Sequence, residues 1–230
     1  MRPISELKDR ALMSLSGKWT VFVAFTLLVS VASSLGAGAA PLMIKPDDVS
    51  TGMALIPMPN YFGFMGVSLL TFFLFMPLSW GYQISTLQTS RTGLEPEIST
   101  LISGYKDYWR ITGTYLLMLV YVTLWSLLLV IPGIIKTFSY AMTGYVLRDN
   151  PELSFNGAIE RSMALMQGHK MELFVLYLSF IGWFILAMLT CGIGFLWLYP
   201  YVQMSITKFY ESLLEDERAA ANPNVGTTSW

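Results

Sequence analysis

Long runs of apolar residues alternate with short polar segments along this chain. Four runs contain no Asp, Glu, Lys or Arg, and each exceeds the roughly 20 residues that a helix needs to cross a hydrocarbon core. They cover residues 19–44, 49–90, 111–135 and 173–207. Because a helix satisfies its backbone hydrogen bonds internally, even in lipid, the pattern predicts an all-α polytopic membrane protein.

Breaks inside the longer runs set the number of crossings. Gly192 and Gly194 permit a reversal in the last run, which predicts a tight hairpin there. Pro132 and Gly133 should end the third helix. The short segment that follows, to about Arg148, either crosses as a tilted helix or forms a re-entrant half-helix. About six transmembrane helices are therefore predicted, at residues 19–44, 61–87, 111–130, 134–147, 173–189 and 195–207.

The charges orient these helices. With the N-terminus in the cytoplasm, all of the 14 Lys and Arg residues except Lys45 and Lys136 fall on the cytoplasmic side. The acidic residues divide in the same way, with only Asp47 and Asp48 outside. This distribution follows the positive-inside rule and predicts that both termini are cytoplasmic.

Composition excludes several classes of protein. Only 13% of the residues are charged and mean hydropathy is +0.54, whereas soluble domains carry about 25% charged residues. A soluble enzyme, a nucleic-acid-binding module and a disulfide-stapled secreted domain are therefore not expected. A cleavable signal peptide ending in the small residues 34–40 is the alternative for the N-terminus, but Glu6 and Asp9 precede it and favour a helix.

Similar junctions precede alternate spans. Each has an apolar residue, a polar residue, Gly, and then Lys one or two positions later. The junctions are Leu15-Ser16-Gly17-Lys18, Ile102-Ser103-Gly104-Tyr105-Lys106 and Met166-Gln167-Gly168-His169-Lys170. An apolar stripe at helical spacing comes before each one, as in a cytoplasmic amphipathic helix at the membrane interface.

The stripes and junctions together predict three hairpin repeats, each preceded by such an interfacial helix. The stripes are Ile4, Leu7, Ala11 and Leu15; Ile98, Leu101, Ile102 and Tyr105; and Phe155, Ile159, Met163 and Met166. The repeat-like units are residues 4–90, 97–149 and 154–214 of a single membrane domain spanning 1–230, with a flexible cytoplasmic tail at 218–230. Chance similarity of Gly-Lys junctions at membrane boundaries is the alternative.

One stretch, from about residue 129 to 213, resembles a known family. The segments that carry the resemblance are Ile131-Pro132-Gly133-Ile134-Ile135-Lys136, Ser139-Tyr140-Ala141-Met142, Asp149-Asn150-Pro151, Gly192-Ile193-Gly194, Pro200-Tyr201 and Phe209-Tyr210. They are similar to the bacterial membrane family named domain-of-unknown-function family 975. The resemblance implies a multi-pass protein of the bacterial inner membrane, and it implies no activity.

Candidate chemistry is sparse. One His and one Cys cannot build a His-His or multi-Cys metal site, so no catalytic residue, metal or cofactor is predicted. Asn150, before a proline, is expected to cap the third interfacial helix. The candidate ligand or lipid contacts are Lys136, Tyr140, Tyr199 and Gln203. The candidate interfacial or partner contacts are Lys18, Lys106, Arg161, His169 and Lys170.

Two functions remain open. The first is a non-enzymatic inner-membrane protein that binds lipid, a partner membrane protein or a second copy of itself, in envelope homeostasis or in a transport complex. The second is a carrier of lipid or small molecules, in which the kinked fourth and sixth spans surround a central cavity that bears Lys136, Tyr140, Tyr199 and Gln203. An intramembrane enzyme is a third and weaker hypothesis.

Overall fold

The computed structural model describes residues 3–43 and 58–221, and within these ranges every regular element is helical. The α-helices are α1 (Ile4–Leu15), α2 (Trp19–Met43), α3 (Met58–Thr92), α4 (Ile98–Leu101), α5 (Tyr108–Leu128), α6 (Val130–Tyr140), α7 (Thr143–Asp149), α8 (Phe155–Leu165), α9 (Lys170–Leu178), α10 (Ile181–Leu189) and α11 (Phe195–Ala221). A 3₁₀ turn, Ser103–Tyr105, follows α4. The predicted outer loop with Lys45 and residues 222–230 of the predicted tail lie outside the described residues, whereas residues 218–221 of that tail belong to α11.

Three helical segments are long and apolar enough to cross a membrane: Gly66–Thr92, Tyr108–Leu127 and Lys170–Leu189. A fourth is possible if Ile4–Leu15 and Trp19–Val31, which meet at 96°, form one broken span. The all-α prediction is confirmed for the described residues. The six crossings and the three repeats stay predictions.

The first amphipathic helix follows its sequence pattern. Leu7, Ala11 and Leu15 recur at helical spacing on α1, and all three are buried. This face packs mainly against α11, while Glu6 and Arg10 stay partly exposed and pair with each other at 2.7 Å. Since most helical stability comes from burying such a face, α1 depends on α11 for its stability.

The three similar junctions are built in two ways. Gly17 and Gly168 adopt positive φ angles of 77° and 88°, so each ends its helix in the left-handed conformation that favours glycine. Gly104 has a different role, because a Cβ there would lie 2.3 Å from the carbonyl oxygen of Pro77. The backbone at these junctions is therefore alike in the first and third units and different in the second.

The break before the fourth predicted span lies earlier than expected. Leu129 is extended (φ −160°, ψ 137°), whereas Pro132 and Gly133 lie in the first turn of α6. Proline is tolerated there because the first N–H groups of a helix need no partner within it. A Cβ at Gly133 would clash with Ser126, so this glycine allows α6 to pack closely against α5.

The predicted cap at Asn150 is wrong. The α8 helix starts four residues further on, and the Ser154 hydroxyl accepts a hydrogen bond from the Gly157 N–H at 3.2 Å. The Asn150 side chain donates back to the Val146 carbonyl and closes the end of α7 instead. Both Asn150 and Ser154 precede the apolar stripe. Because the Pro151–Leu153 turn lies between them, only Ser154 is next to the first residue of α8.

The hairpin between α10 and α11 is confirmed. Cys191 and Gly192 both adopt positive φ angles, of 52° and 88°. The Gly192 N–H donates to the Ala187 carbonyl, which closes the end of α10. The reversal brings α11 back alongside α10, and α11 also contacts α1, α2, α3 and α8. It is therefore the helix around which the site below is organised.

Candidate functional site

Two adjoining cavities lie where α11 meets α2, α3 and α9. The larger has a volume of about 730 Å³ and the smaller about 250 Å³, and both are partly open to the surface. They share five lining residues, so we treat them together as the central cavity. The shared residues are Ser79, Tyr177, Tyr199, Gln203 and Ile206.

The central cavity has an apolar wall and a polar strip. Phe184 on α10, with Phe195, Leu196 and Leu198 on α11, contributes hydrocarbon and aromatic surface to the larger part. Polar groups come from the shared residues, from Thr26 and Ser30 on α2, and from Gln83 on α3. An amphipathic wall of this kind matches the general make-up of ligand pockets, which are mostly apolar with a few placed polar groups.

Hydrogen bonds hold the polar strip in place. Gln203 donates from Nε2 to the Tyr145 hydroxyl at 3.1 Å, and Tyr145 in turn lies 3.0 Å from Thr207 Oγ1. Thr207 lies 2.9 Å from Thr86 Oγ1 on α3. This chain links α3, α7 and α11, so the position of the Gln203 side chain depends on all three helices.

A glycine makes room for the smaller part of the cavity. The Tyr115 hydroxyl donates to Gln83 Oε1 at 3.3 Å. A Cβ at Gly144 would lie 2.2 Å from Gln83 Oε1 and 2.6 Å from the Tyr115 hydroxyl. The Gly144 carbonyl also accepts a 2.9 Å hydrogen bond from the Trp80 indole. Only glycine at this position lets the four groups meet as they do.

A second polar region, the ionic cluster, joins α3, α7 and α11 at their other ends. Arg91 donates to both carboxylate oxygens of Asp149, at 2.7 and 2.6 Å, and the Tyr210 hydroxyl donates to Asp149 at 2.8 Å. Glu211 accepts from Ser90 at 2.7 Å and pairs with Lys208 at 3.2 Å. These residues, apart from Ser90 and Lys208, line an open cavity of about 730 Å³.

Contacts within the ionic cluster shift the pKa values of Asp149 and Tyr210. Burial alone would raise the pKa of Asp149, but the hydrogen bonds from Arg91 and Tyr210 and the positive charge of Arg91 outweigh it, so the pKa is lowered. The pKa of Tyr210 is raised by burial and by the adjacent Asp149 charge. Asp149 is therefore a carboxylate at neutral pH, and Tyr210 a neutral hydrogen-bond donor.

The four candidate ligand contacts do not lie together in the structure. Tyr199 and Gln203 both line the central cavity. Lys136 instead lies over the Trp125 ring, 5.0 Å from its centre, with Nζ 3.7 Å from Met163 Sδ. Tyr140 is buried, with its ring 6.4 Å from that of Tyr121.

The candidate interfacial residues make mostly local contacts. Lys18 donates to the Ser14 carbonyl at the end of α1, and His169 lies 2.9 Å from Glu172 at the start of α9. Arg161 reaches Glu217 on α11 through two hydrogen bonds of 2.6 and 2.5 Å. Lys106 is exposed and Lys170 is half-buried at the first position of α9.

Sequence reasoning missed some residues that line the central cavity and one that joins distant helices. Gln83 is a polar residue within a charge-free run, which is a signal that could have found it. Lys8 was also missed: its Nζ donates to the Ser179 carbonyl at 3.1 Å, at the break between α9 and α10, and lies 4.2 Å from the centre of the Phe180 ring. Nothing local to Lys8 in the sequence indicates this distant partner.

Comparison with known proteins gives one match. Residues 127–217 match the model of the family described as "Protein of unknown function (DUF975)". This confirms the resemblance predicted above for that stretch, which contains Tyr177, Tyr199 and Gln203 of the central cavity. The search of curated proteins and the search of solved structures each found no match.

Proposed function

We propose that this chain is a non-enzymatic protein of the bacterial inner membrane that binds a lipid in the central cavity. The single observation that carries the proposal is the combination of an apolar wall with an ordered polar strip in one cavity. A lipid has the matching form, since it joins a polar head to hydrocarbon chains.

The arrangement in the membrane is part of the proposal. Six helices would cross as three hairpins, each following an interfacial helix, with both termini in the cytoplasm. The charge distribution and the apolar segments Gly66–Thr92, Tyr108–Leu127 and Lys170–Leu189 support it. Reporter fusions at Pro46 and after Trp230 should indicate opposite sides of the membrane. Signals from the same side would overturn the topology.

Entry from the bilayer is consistent with the side chains outside the cavity. Large apolar residues on α10 remain exposed on the protein surface, among them Ile185, Leu186, Met188 and Leu189. In a membrane this surface faces hydrocarbon, and Phe184 on the same helix lines the central cavity. A lipid could therefore reach the cavity along α10 without leaving the apolar phase.

The test is thermal stabilisation of delipidated protein. Bacterial total lipid extract, which contains both neutral and polar lipids, should raise the unfolding midpoint of the protein in mild detergent, because a ligand that binds only the folded state stabilises it. Ser30→Trp fills the cavity from α2 and should abolish the rise, whereas Ser34→Trp, one turn further along the same exposed stretch, should retain it. Equal responses from both variants would contradict the proposal.

A carrier that moves lipid across the membrane is the second candidate. It is favoured by the presence of Tyr199 and Gln203 on either side of Pro200 in one cavity wall, because a proline inside a helix is a site where the helix can bend. Protein reconstituted into vesicles should then speed the exchange of a fluorescent phosphatidylcholine between leaflets. Exchange at the rate of empty vesicles would leave the binding function as the better account.

A further inference from the structure

The polar groups of the central cavity are all uncharged. Among the described residues that line it, hydroxyls, carboxamides and one indole provide the polar surface. The ionic cluster uses charged groups on the same helices α3, α7 and α11, but these side chains pair with each other. The chain therefore has charges available on these helices and does not place them in the cavity.

Some of the polar groups in the cavity remain available. Tyr177 and Tyr199 are about 40% exposed, and within the described part of the chain their hydroxyls have no hydrogen-bond partner. Gln203 uses one N–H toward Tyr145, which leaves its carbonyl oxygen and a second N–H. Two hydroxyls and one carboxamide can thus donate to and accept from a ligand.

The balance between the free energy of desolvation and that of hydrogen bonding determines which lipid head group suits this lining. Desolvating a charge without a partner costs more free energy than hydrogen bonds to a few neutral groups return. A phosphate would find no cation here. An ammonium head gains some attraction from aromatic faces, which does not offset its desolvation. A hydroxyl head loses little, and its single donor and its acceptor sites match the available groups.

We infer that the central cavity selects a neutral lipid with a hydroxyl head, of the diacylglycerol type, over phospholipids with the same chains. The inference rests on the proposed function, because it names the class of lipid that the same cavity takes. Gln203, Tyr199 and Tyr177 contact the hydroxyl, and Phe184, Phe195 and Leu196 contact the chains.

The test is competition for a photoreactive probe. Full-length protein in detergent is labelled with a diazirine-bearing dioleoylglycerol, and the labelled peptides are mapped. Unlabelled dioleoylglycerol should displace the probe from peptides of α9–α11 at a concentration at least about tenfold below that of dioleoylphosphatidic acid, a difference of about 1.4 kcal/mol. The two competitors differ only in the phosphate.

Gln203→Lys introduces a positive charge into the uncharged lining of the central cavity. A cation beside the Tyr145 hydroxyl should shift the preference toward phosphatidic acid, and Ser34→Lys on the exposed face of α2 should leave the preference unchanged. Intact unfolding curves for both variants show that they fold.

The outcomes separate the two proposals. Labelling in the cavity with phosphatidic acid equal to or better than dioleoylglycerol would overturn the choice of head group and leave lipid binding standing. Labelling that maps away from α9–α11 both with this probe and with a diazirine-bearing phosphatidic acid, or that no lipid displaces, would overturn both.

Discussion

The larger part of the central cavity and the cavity of the ionic cluster have about the same volume, 730 Å³, and opposite chemistry. Both depend on α3, α7 and α11. In the ionic cluster, Arg91 and Asp149 satisfy each other, so the charges hold helices together. In the central cavity the lining is uncharged and part of its hydrogen-bonding capacity is unused. The contrast favours a structural role for the ionic cluster and supports the proposal that the central cavity takes a ligand.

The largest effect on stability should come from Asp149→Ala. The substitution leaves Arg91 and Tyr210 without their acceptor and should lower the free energy of unfolding by about 2 kcal/mol, a value reduced for the partial exposure of Arg91. Chemical unfolding in detergent measures it. The control is Asp216→Ala, because the Asp216 side chain is exposed on α11. Lipid retention should not change, and a loss of lipid would break the distinction between the two regions.

Acid should affect the two regions differently. The folded state lowers the pKa of Asp149, so its stabilisation is complete above the unfolded pKa of about 4 and is lost as pH falls through the folded value. Unfolding at pH 7 and at pH 3 should show a larger loss for the wild type than for Asp149→Asn. Because the cavity lining is uncharged, lipid retention should be equal at pH 7 and pH 5. A steep fall between those two values would contradict this account.

Thr207 connects the two regions and should have an intermediate effect. Its hydroxyl lies within hydrogen-bond distance of Tyr145 and Thr86, and the Tyr145 ring stacks on Tyr210 with centres 4.8 Å apart. Thr207→Val keeps the shape and should cost about 1 kcal/mol. Thr71→Val, whose hydroxyl bonds only to its own helix, should change stability by less than about 0.5 kcal/mol. Equal effects would show that the connecting hydrogen bonds carry no stability.

The smallest effect on stability should come from Gly144→Ala, which nevertheless alters the cavity. The ends of the Gln83 and Tyr115 side chains must move, and the better helix propensity of Ala offsets part of this by up to about 1 kcal/mol. We expect a several-fold loss of bound lipid by native mass spectrometry, with the unfolding midpoint nearly unchanged. Gly182→Ala, where a Cβ would meet open space, should retain lipid. If both variants behave alike, Gly144 does not shape the cavity.

Features coded by neighbouring residues could be predicted from the sequence. The buried face of α1 follows from Leu7, Ala11 and Leu15 at helical spacing, and the α10–α11 hairpin follows from its glycines. The cap of α8 could not be decided, because Asn150 and Ser154 are equally good caps and the turn between them is set by packing.

The central cavity was only half predictable. Tyr199 and Gln203 are polar residues beside a proline in an apolar run, and that local signal identified them. Their partners come from distant parts of the chain: Tyr145 is 58 residues from Gln203, and Ser30 and Ser79 lie on helices far earlier in the sequence. The proximity of such positions depends on tertiary packing, which leaves no periodic pattern in a single sequence.

The most direct measurement is a count of the lipid molecules that remain on the protein after extensive detergent washing, by native mass spectrometry. The wild type and Ser34→Trp should each retain one lipid, and Ser30→Trp should retain none while unfolding at a similar temperature. Retention of the same lipid by Ser30→Trp, or no lipid on the wild type, would contradict the assignment of the central cavity as a lipid site.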